Sequence, residues 1–177
     1  MGDFLNYKEE ITKAMTLLGG DYRTIFLGQS VACAGNALTD TLDGVPMEKR
    51  WELPVAEDMQ MGMSIGLSLA GYIPVSIYPR MDFLILALNQ LVNHLDKMEE
   101  ITRGQYKPKV IIRAAVGKTK PLFPGLQHMQ DHTEGIKSML TNVDVVKLLK
   151  AEDIVSSYQK ALESDKSTML VELCNLY

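Results

Sequence analysis

The sequence predicts a single α/β domain of three layers, a mainly parallel sheet sandwiched by helices on both faces. Two observations carry this. Short β-rich runs alternate with helical segments along the chain, the order that builds parallel sheets through crossover connections. The chain of 177 residues also shows neither an internal repeat nor a linker, so residues 1–177 read as one domain.

The elements follow in order. Residues 6–18 form an amphipathic helix, because Ile11, Ala14, Met15 and Leu18 recur at helical spacing before Gly19-Gly20-Asp21 stops it. Thr24 to Gly28 is a short apolar run ending in glycine, a buried parallel strand. Residues 29–50 are loop-rich, with a short helix near 38–42. Trp51 to Ala56 is extended, and residues 57–70 are almost wholly apolar or small, which predicts a buried helix. A strand at 73–77, a helix at 82–98 and a strand at 109–113 come next. Residues 114–125, broken by glycine and proline, predict a long loop of the kind that carries function. A helix at 133–139, a strand at 144–146, a helix at 151–163 and a strand at 168–173 complete the chain.

Composition narrows the function classes. The net charge is −4 with no basic block, which argues against nucleic acid as a partner. No apolar run reaches the length of a membrane span, and residues 1–8 lack a basic start followed by an apolar core, so the expected location is cytoplasmic. Cys33 and Cys174 lack metal-type spacing and read as reduced thiols. Eleven methionines suit core filling and subunit contacts.

Glu57 is the residue that stands out. It opens the apolar helix, and a carboxylate at the mouth of a buried helix needs a reason. Burial raises a carboxyl pKa and makes the group a usable proton donor or acceptor near neutral pH. The plainer alternative is that Glu57 and Asp58 only complement the positive end of the helix.

The surrounding motifs add weight. Pro54 to Glu57, then Gly62, Gly66, Ala70-Gly71 and Pro74-Val75, then Asp82-Phe83, Ala87, Gln90-Leu91, Asn93 and Lys97-Met98 stand in register with an Arg113-ended strand and Gln127-His128 with Gln130. This pattern resembles the β subunit of 2-oxo acid dehydrogenase E1 components over residues 26–177. The resemblance implies the pyrimidine-binding fold of transketolase-like enzymes and thiamine diphosphate as cofactor.

In that family the glutamate matching Glu57 hydrogen-bonds the ring nitrogen N1′ of the cofactor and favours the imino tautomer, which deprotonates thiazolium C2. The resemblance therefore implies a catalytic and cofactor-binding role for Glu57. Phe83 matches the aromatic that packs on the aminopyrimidine, although plain core packing is its alternative. His128 matches a histidine facing the substrate carbonyl, where it can exchange protons. The neighbouring family serine is Met129 here. Arg80 is a candidate for binding a substrate carboxylate or phosphate, with a surface or interface arginine as the other reading.

His128 and His132 also stand four apart, the spacing of two ligands on a helix face. A third ligand is missing nearby apart from Asp131, so no metal site is assigned. His94 is expected to cap or hydrogen-bond a neighbour.

A further departure from the family and two absences bear on the reading. An acidic pair usually follows the first strand, and this chain has Gln29-Ser30. No Gly-Asp-Gly motif occurs, so the Mg²⁺ that grips the diphosphate is expected on a partner, an α-type subunit, in an α₂β₂ heterotetramer. The sequence also stops where a usual β subunit continues into another domain, and from its ordinary Met1-Gly2 start a natural short subunit is expected rather than a chain cut at the boundary. The resulting expectation is a β-type subunit that activates thiamine diphosphate for 2-oxo acid decarboxylation, acyl or ketol transfer, or both. A 2-oxo acid dehydrogenase E1 β subunit proper and a non-catalytic assembly or regulatory paralogue are the alternatives.

Overall fold

The computed structural model describes residues 5–33, 37–118 and 123–177. Six strands form one sheet, all neighbours parallel: β1 (Thr24–Gly28), β2 (Arg50–Glu52), β3 (Ile73–Tyr78), β4 (Ile111–Val116), β5 (Asp144–Lys147) and β6 (Thr168–Leu173), in the order β2-β1-β3-β4-β6-β5. The central strands are buried on both faces, as a parallel sheet covered by helices requires.

Side-chain alternation sorts the helices. Phe26, Val75, Ile77, Ile111, Ala115 and Leu170 pack against α1 (Tyr7–Gly20), the short α2 (Ala37–Asp40) and α7 (Ile154–Glu163). Tyr78, Ile112, Ala114, Met169 and Val171 pack on the other face, against α3 (Glu57–Leu69), α4 (Met81–Leu84) with the helical turns that follow it, and α6 (Thr133–Met139). Three layers result, as the alternation of segments predicts. No helix among the described residues is long and apolar enough to cross a membrane.

Three elements differ from expectation. The helix expected over 82–98 follows one helical path in several windings: α4, a 3-10 turn at Ile85–Ala87, a π-type stretch at Asn89–Leu95 and α5 (Met98–Ile101). Leu84, Ala87, Leu91 and Leu95 still face the core, so the apolar spacing does not reveal the local widening. The strand expected at 109–113 runs from Ile111 to Val116, which puts Arg113 in its middle and places residues 114–116 in the sheet rather than in a loop. Residues 119–122 of that expected loop lie outside the described residues. Helix α3 buries only one side, through Met61, Ser64 and Ile65, while Met59, Gly66 and Leu69 are exposed.

A polar network lies inside the core. Arg113 and Glu172 are fully buried and face α7, with Arg113 Nε and Nη2 donating to Glu172 Oε1 and Oε2 at 2.7 and 2.9 Å. Tyr158 donates to Glu172 Oε1 at 2.5 Å, Tyr177 donates to Oε2, and Arg113 Nη2 also donates to Thr41 Oγ1 at 2.8 Å. Burial opposes the Arg113 charge, but Glu172 outweighs it and keeps the guanidinium protonated.

Candidate active site

Parallel strands all end on one side of the sheet, and chain segments leaving adjacent strands converge there. Gln29 follows β1, Glu57 lies beyond β2, Arg80 to Phe83 follow β3, and Gly117 and His128 follow β4. Each candidate residue read from the sequence therefore sits beyond the C-terminal end of a strand.

Glu57 is the first residue of α3 and is only 2% exposed. Its Oε1 accepts from Gln29 Nε2 at 3.2 Å. Its Oε2 is buried and finds no hydrogen-bond partner among the described residues. Leaving a buried acceptor unsatisfied costs on the order of 1–3 kcal/mol, which makes this oxygen a candidate to receive a donor. Three residues further along α3, Gln60 Nε2 donates to Ile77 O at 2.9 Å and Ser76 Oγ at 3.1 Å, pinning the helix start to the end of β3. Tyr78 borders the same place. Burial foremost, then the Glu57 charge, pushes its hydroxyl pKa up, so it stays protonated.

Phe83 and His128 are brought together, their rings edge-to-face with centroids 5.3 Å apart. His128 closes a 3-10 turn at Leu126–His128, and its Nδ1 is a second buried atom without a partner. Gly117 makes this placement possible, since a Cβ there would lie 1.8 Å from His128 O. Asp82 holds the next residues of the loop, its Oδ1 accepting from Gln130 Nε2 at 2.9 Å while Oδ2 is buried without a partner.

Arg80 is half-buried just before α4. Its Nη1 donates to Pro79 O at 3.1 Å, and its charge is felt at the buried Cys174. Burial, and next Glu172, pushes the Cys174 thiol up to about 11, which keeps it unreactive. The helical spacing of His128 and His132 is not realised, because His128 ends the 3-10 turn and His132 precedes α6. No group of three His, Cys, Asp or Glu among the described residues could hold a metal. His94 is exposed on the π-type stretch. Sequence reasoning missed the tie from Asp82 to Gln130 and the anchoring role of Gln60. Both polar residues lie close to recognised motifs, but spacing does not pair residues 48 apart.

The fold is that of transketolase-like α/β domains, and a buried glutamate lies beyond the C-terminal ends of its strands. A transketolase from Campylobacter jejuni superposes with a TM-score of 0.73 at 14% identity, covering 97% of this chain and 26% of that one. A structure described as a split gene transketolase, inactive beta4 tetramer, superposes with a TM-score of 0.72 at 20% identity, covering 96% and 52%. No family model matches. In sequence the chain is similar to E1 β subunits of pyruvate and 3-methyl-2-oxobutanoate dehydrogenases. It is 24% identical over 178 aligned residues to the pyruvate dehydrogenase E1 component subunit beta of Mycoplasma genitalium, covering 98% of this chain and 53% of the relative. It is 28% identical over 124 residues to the 3-methyl-2-oxobutanoate dehydrogenase subunit beta of Mycobacterium tuberculosis, covering 68% and 34%. The chain thus spans about a third to a half of the length of these relatives.

Proposed function

We propose that this chain is the β-type half of a two-subunit thiamine diphosphate enzyme acting on a 2-oxo acid or an α-hydroxyketone. The observation that carries the reading is the Glu57 carboxylate, buried and tied through one oxygen to Gln29, with the other oxygen unpartnered. A ring nitrogen of the aminopyrimidine matches that vacant oxygen once a proton lies between the two atoms, and relatives named as E1 β subunits support the cofactor class. When bound, thiamine diphosphate supplies an electron sink for breaking or forming the bond beside a carbonyl.

The chain's own residues divide the work. Glu57 Oε2 shares a proton with the ring nitrogen, a transfer favoured because water is excluded. Phe83 offers an apolar face to the ring, and its contact with His128 keeps that imidazole beside the reacting carbonyl. His128 Nδ1 is available to exchange a proton there. Arg80 binds the substrate's carboxylate or phosphate through N–H donors. The diphosphate and its Mg²⁺ belong to an α-type partner with which the chain forms a heteromeric enzyme.

The test is co-expression with a chain bearing the Gly-Asp-Gly and downstream Asn pattern, followed by assays of cofactor binding and 2-oxo acid decarboxylation. Replacing Glu57 by Gln is expected to lower turnover by about 10²–10⁴-fold, the usual weight of a positioned acid-base group, with thermal unfolding unchanged. Turnover within threefold of wild type in Glu57→Gln refutes the assignment. The E1 β subunit proper is the second reading, favoured by the relatives' names, and reductive acylation of lipoamide by the complex would select it.

A further inference from the structure

Gln29 can serve Glu57 only if the turn that carries it is held still, and that turn has an unusual fastening. Four successive backbone N–H groups, of Ser30, Val31, Ala32 and Cys33, converge on the Glu52 carboxylate at 2.6, 2.8, 2.8 and 3.3 Å. Successive amides turned inward in this way form a nest, a concavity that selects an anion. Ser30 adopts φ 54°, a left-handed conformation that costs a non-glycine residue on the order of 1 kcal/mol or more and persists only when its surroundings impose it. The amides of Ser30 and the three residues after it lie on Glu52, and Ser30 O accepts from Thr39 Oγ1 at 2.6 Å. Glu52 itself is set by the sheet, since it pairs with Gly28, and Leu53 N donates to Gly28 O at 2.8 Å. Gly28 admits no side chain, because a Cβ there would lie 2.3 Å from Ile77 O. Gln29 is therefore bracketed by a residue locked in the sheet and by a turn locked on Glu52.

We propose that Glu52 is a positioning residue for Glu57: seated in the amide nest of residues 30–33, its carboxylate fixes the turn so that the Gln29 amide holds Glu57 Oε1 and leaves Oε2 as the free acceptor. The importance of that free oxygen rests on the function proposed above. The arrangement gives Glu57 a neutral donor at the site of contact, with no second negative charge on the residue that touches it. Glu52 is an exposed residue whose carboxyl is only partly desolvated; the nest amides outweigh that and hold the carboxyl below the ordinary range, so the strap stays ionised at neutral pH.

The test uses the full chain labelled with ¹³C at glutamate side-chain carboxyls, the Glu57 signal being assigned by its loss in E57Q. E52A and Q29A are each expected to move that signal. The double variant is expected to move it no further than Q29A alone, because Glu52 acts through Gln29. E52D should restore most of the wild-type position, and E52Q, which keeps the shape but has a single acceptor oxygen, should move the signal in the same direction as E52A. In the two-subunit complex, E52A and Q29A should each weaken thiamine diphosphate binding about tenfold. An unmoved Glu57 signal in folded E52A and E52Q overturns the proposal, as does full additivity of E52A with Q29A. Tight cofactor binding by the E57Q complex would instead overturn the functional reading alone, since the carboxyl signal is read without cofactor.

Discussion

Arg113 shows what a single buried charge demands. Its guanidinium and the Glu172 carboxylate have no access to solvent, and they pair with each other and with Thr41, Tyr158 and Tyr177, while Arg113 Nη1 finds no partner among the described residues. Desolvating two ions is costly, so the pair need not stabilise the fold more than apolar side chains of equal volume would. Breaking it leaves a charge with no counterpart. Arg113→Met is therefore expected to destabilise the chain by about 3–5 kcal/mol in urea unfolding. Adding Glu172→Gln should cost less than the sum of the two single changes, since the orphaned charge is then removed. From sequence, Arg113 is legible only as the end of a strand. Its inward direction depends on the strand continuing to Val116, which the apolar run does not specify because Ala114 and Ala115 suit loop and strand alike. Glu57 is legible for the opposite reason: an acid opening an apolar helix conflicts with its neighbours, and the structure keeps it there at 2% exposure.

At the scale of elements, a helical path and a strand are fastened by one aspartate. Asp96, just past the π-type stretch, accepts from the backbone N–H groups of Thr141, Asn142 and Val143 at 2.8–3.1 Å and lies 2.8 Å from Lys97 Nζ. Burial disfavours its charge, but Lys97 and the amides of Asn142 and Val143 more than offset that, and its pKa falls to about 2. The unfolded value is near 3.9. A carboxyl depressed by folding contributes stability in full above the unfolded value and loses it as pH falls toward the folded one. The contribution, about 2.5 kcal/mol, should disappear between roughly pH 4 and pH 2. Asp96→Asn is expected to lose it at pH 7 and to flatten the acid limb of stability against pH, measured by urea unfolding across that range. The loop after β4 offers a second case. Gly117→Ala would push His128 O away, so catalysis by the complex should fall at least tenfold while the melting temperature changes little, the strand before it being intact. Alternation of segments makes the sheet and its helices legible in the sequence. The windings after Met81 are not, because widened and ordinary turns bury the same leucines.

At the scale of the molecule, the proposed function divides one cofactor between two chains, with its ring assigned to this chain and its phosphates to a partner. Mg²⁺ on a diphosphate requires carboxylate, amide or carbonyl oxygens in near-octahedral array. The sequence has no Gly-Asp-Gly, the pattern expected of the chain that would supply those oxygens. If the cofactor bridges two chains, its binding and their association are one linked equilibrium, and each must strengthen the other by the same factor. Calorimetry is therefore expected to find no binding of Mg²⁺ and thiamine diphosphate to the isolated chain at micromolar concentration, with binding appearing once an α-type subunit is added. Sedimentation should show the subunit pair tightening when cofactor and Mg²⁺ are supplied together, and by the factor through which the partner tightens cofactor binding. Glu57→Gln should reduce both effects equally, because the variant removes a contact made only in the bridged state. An isolated chain that bound the cofactor as well as the pair does would place the whole site within this polypeptide and end the two-chain account.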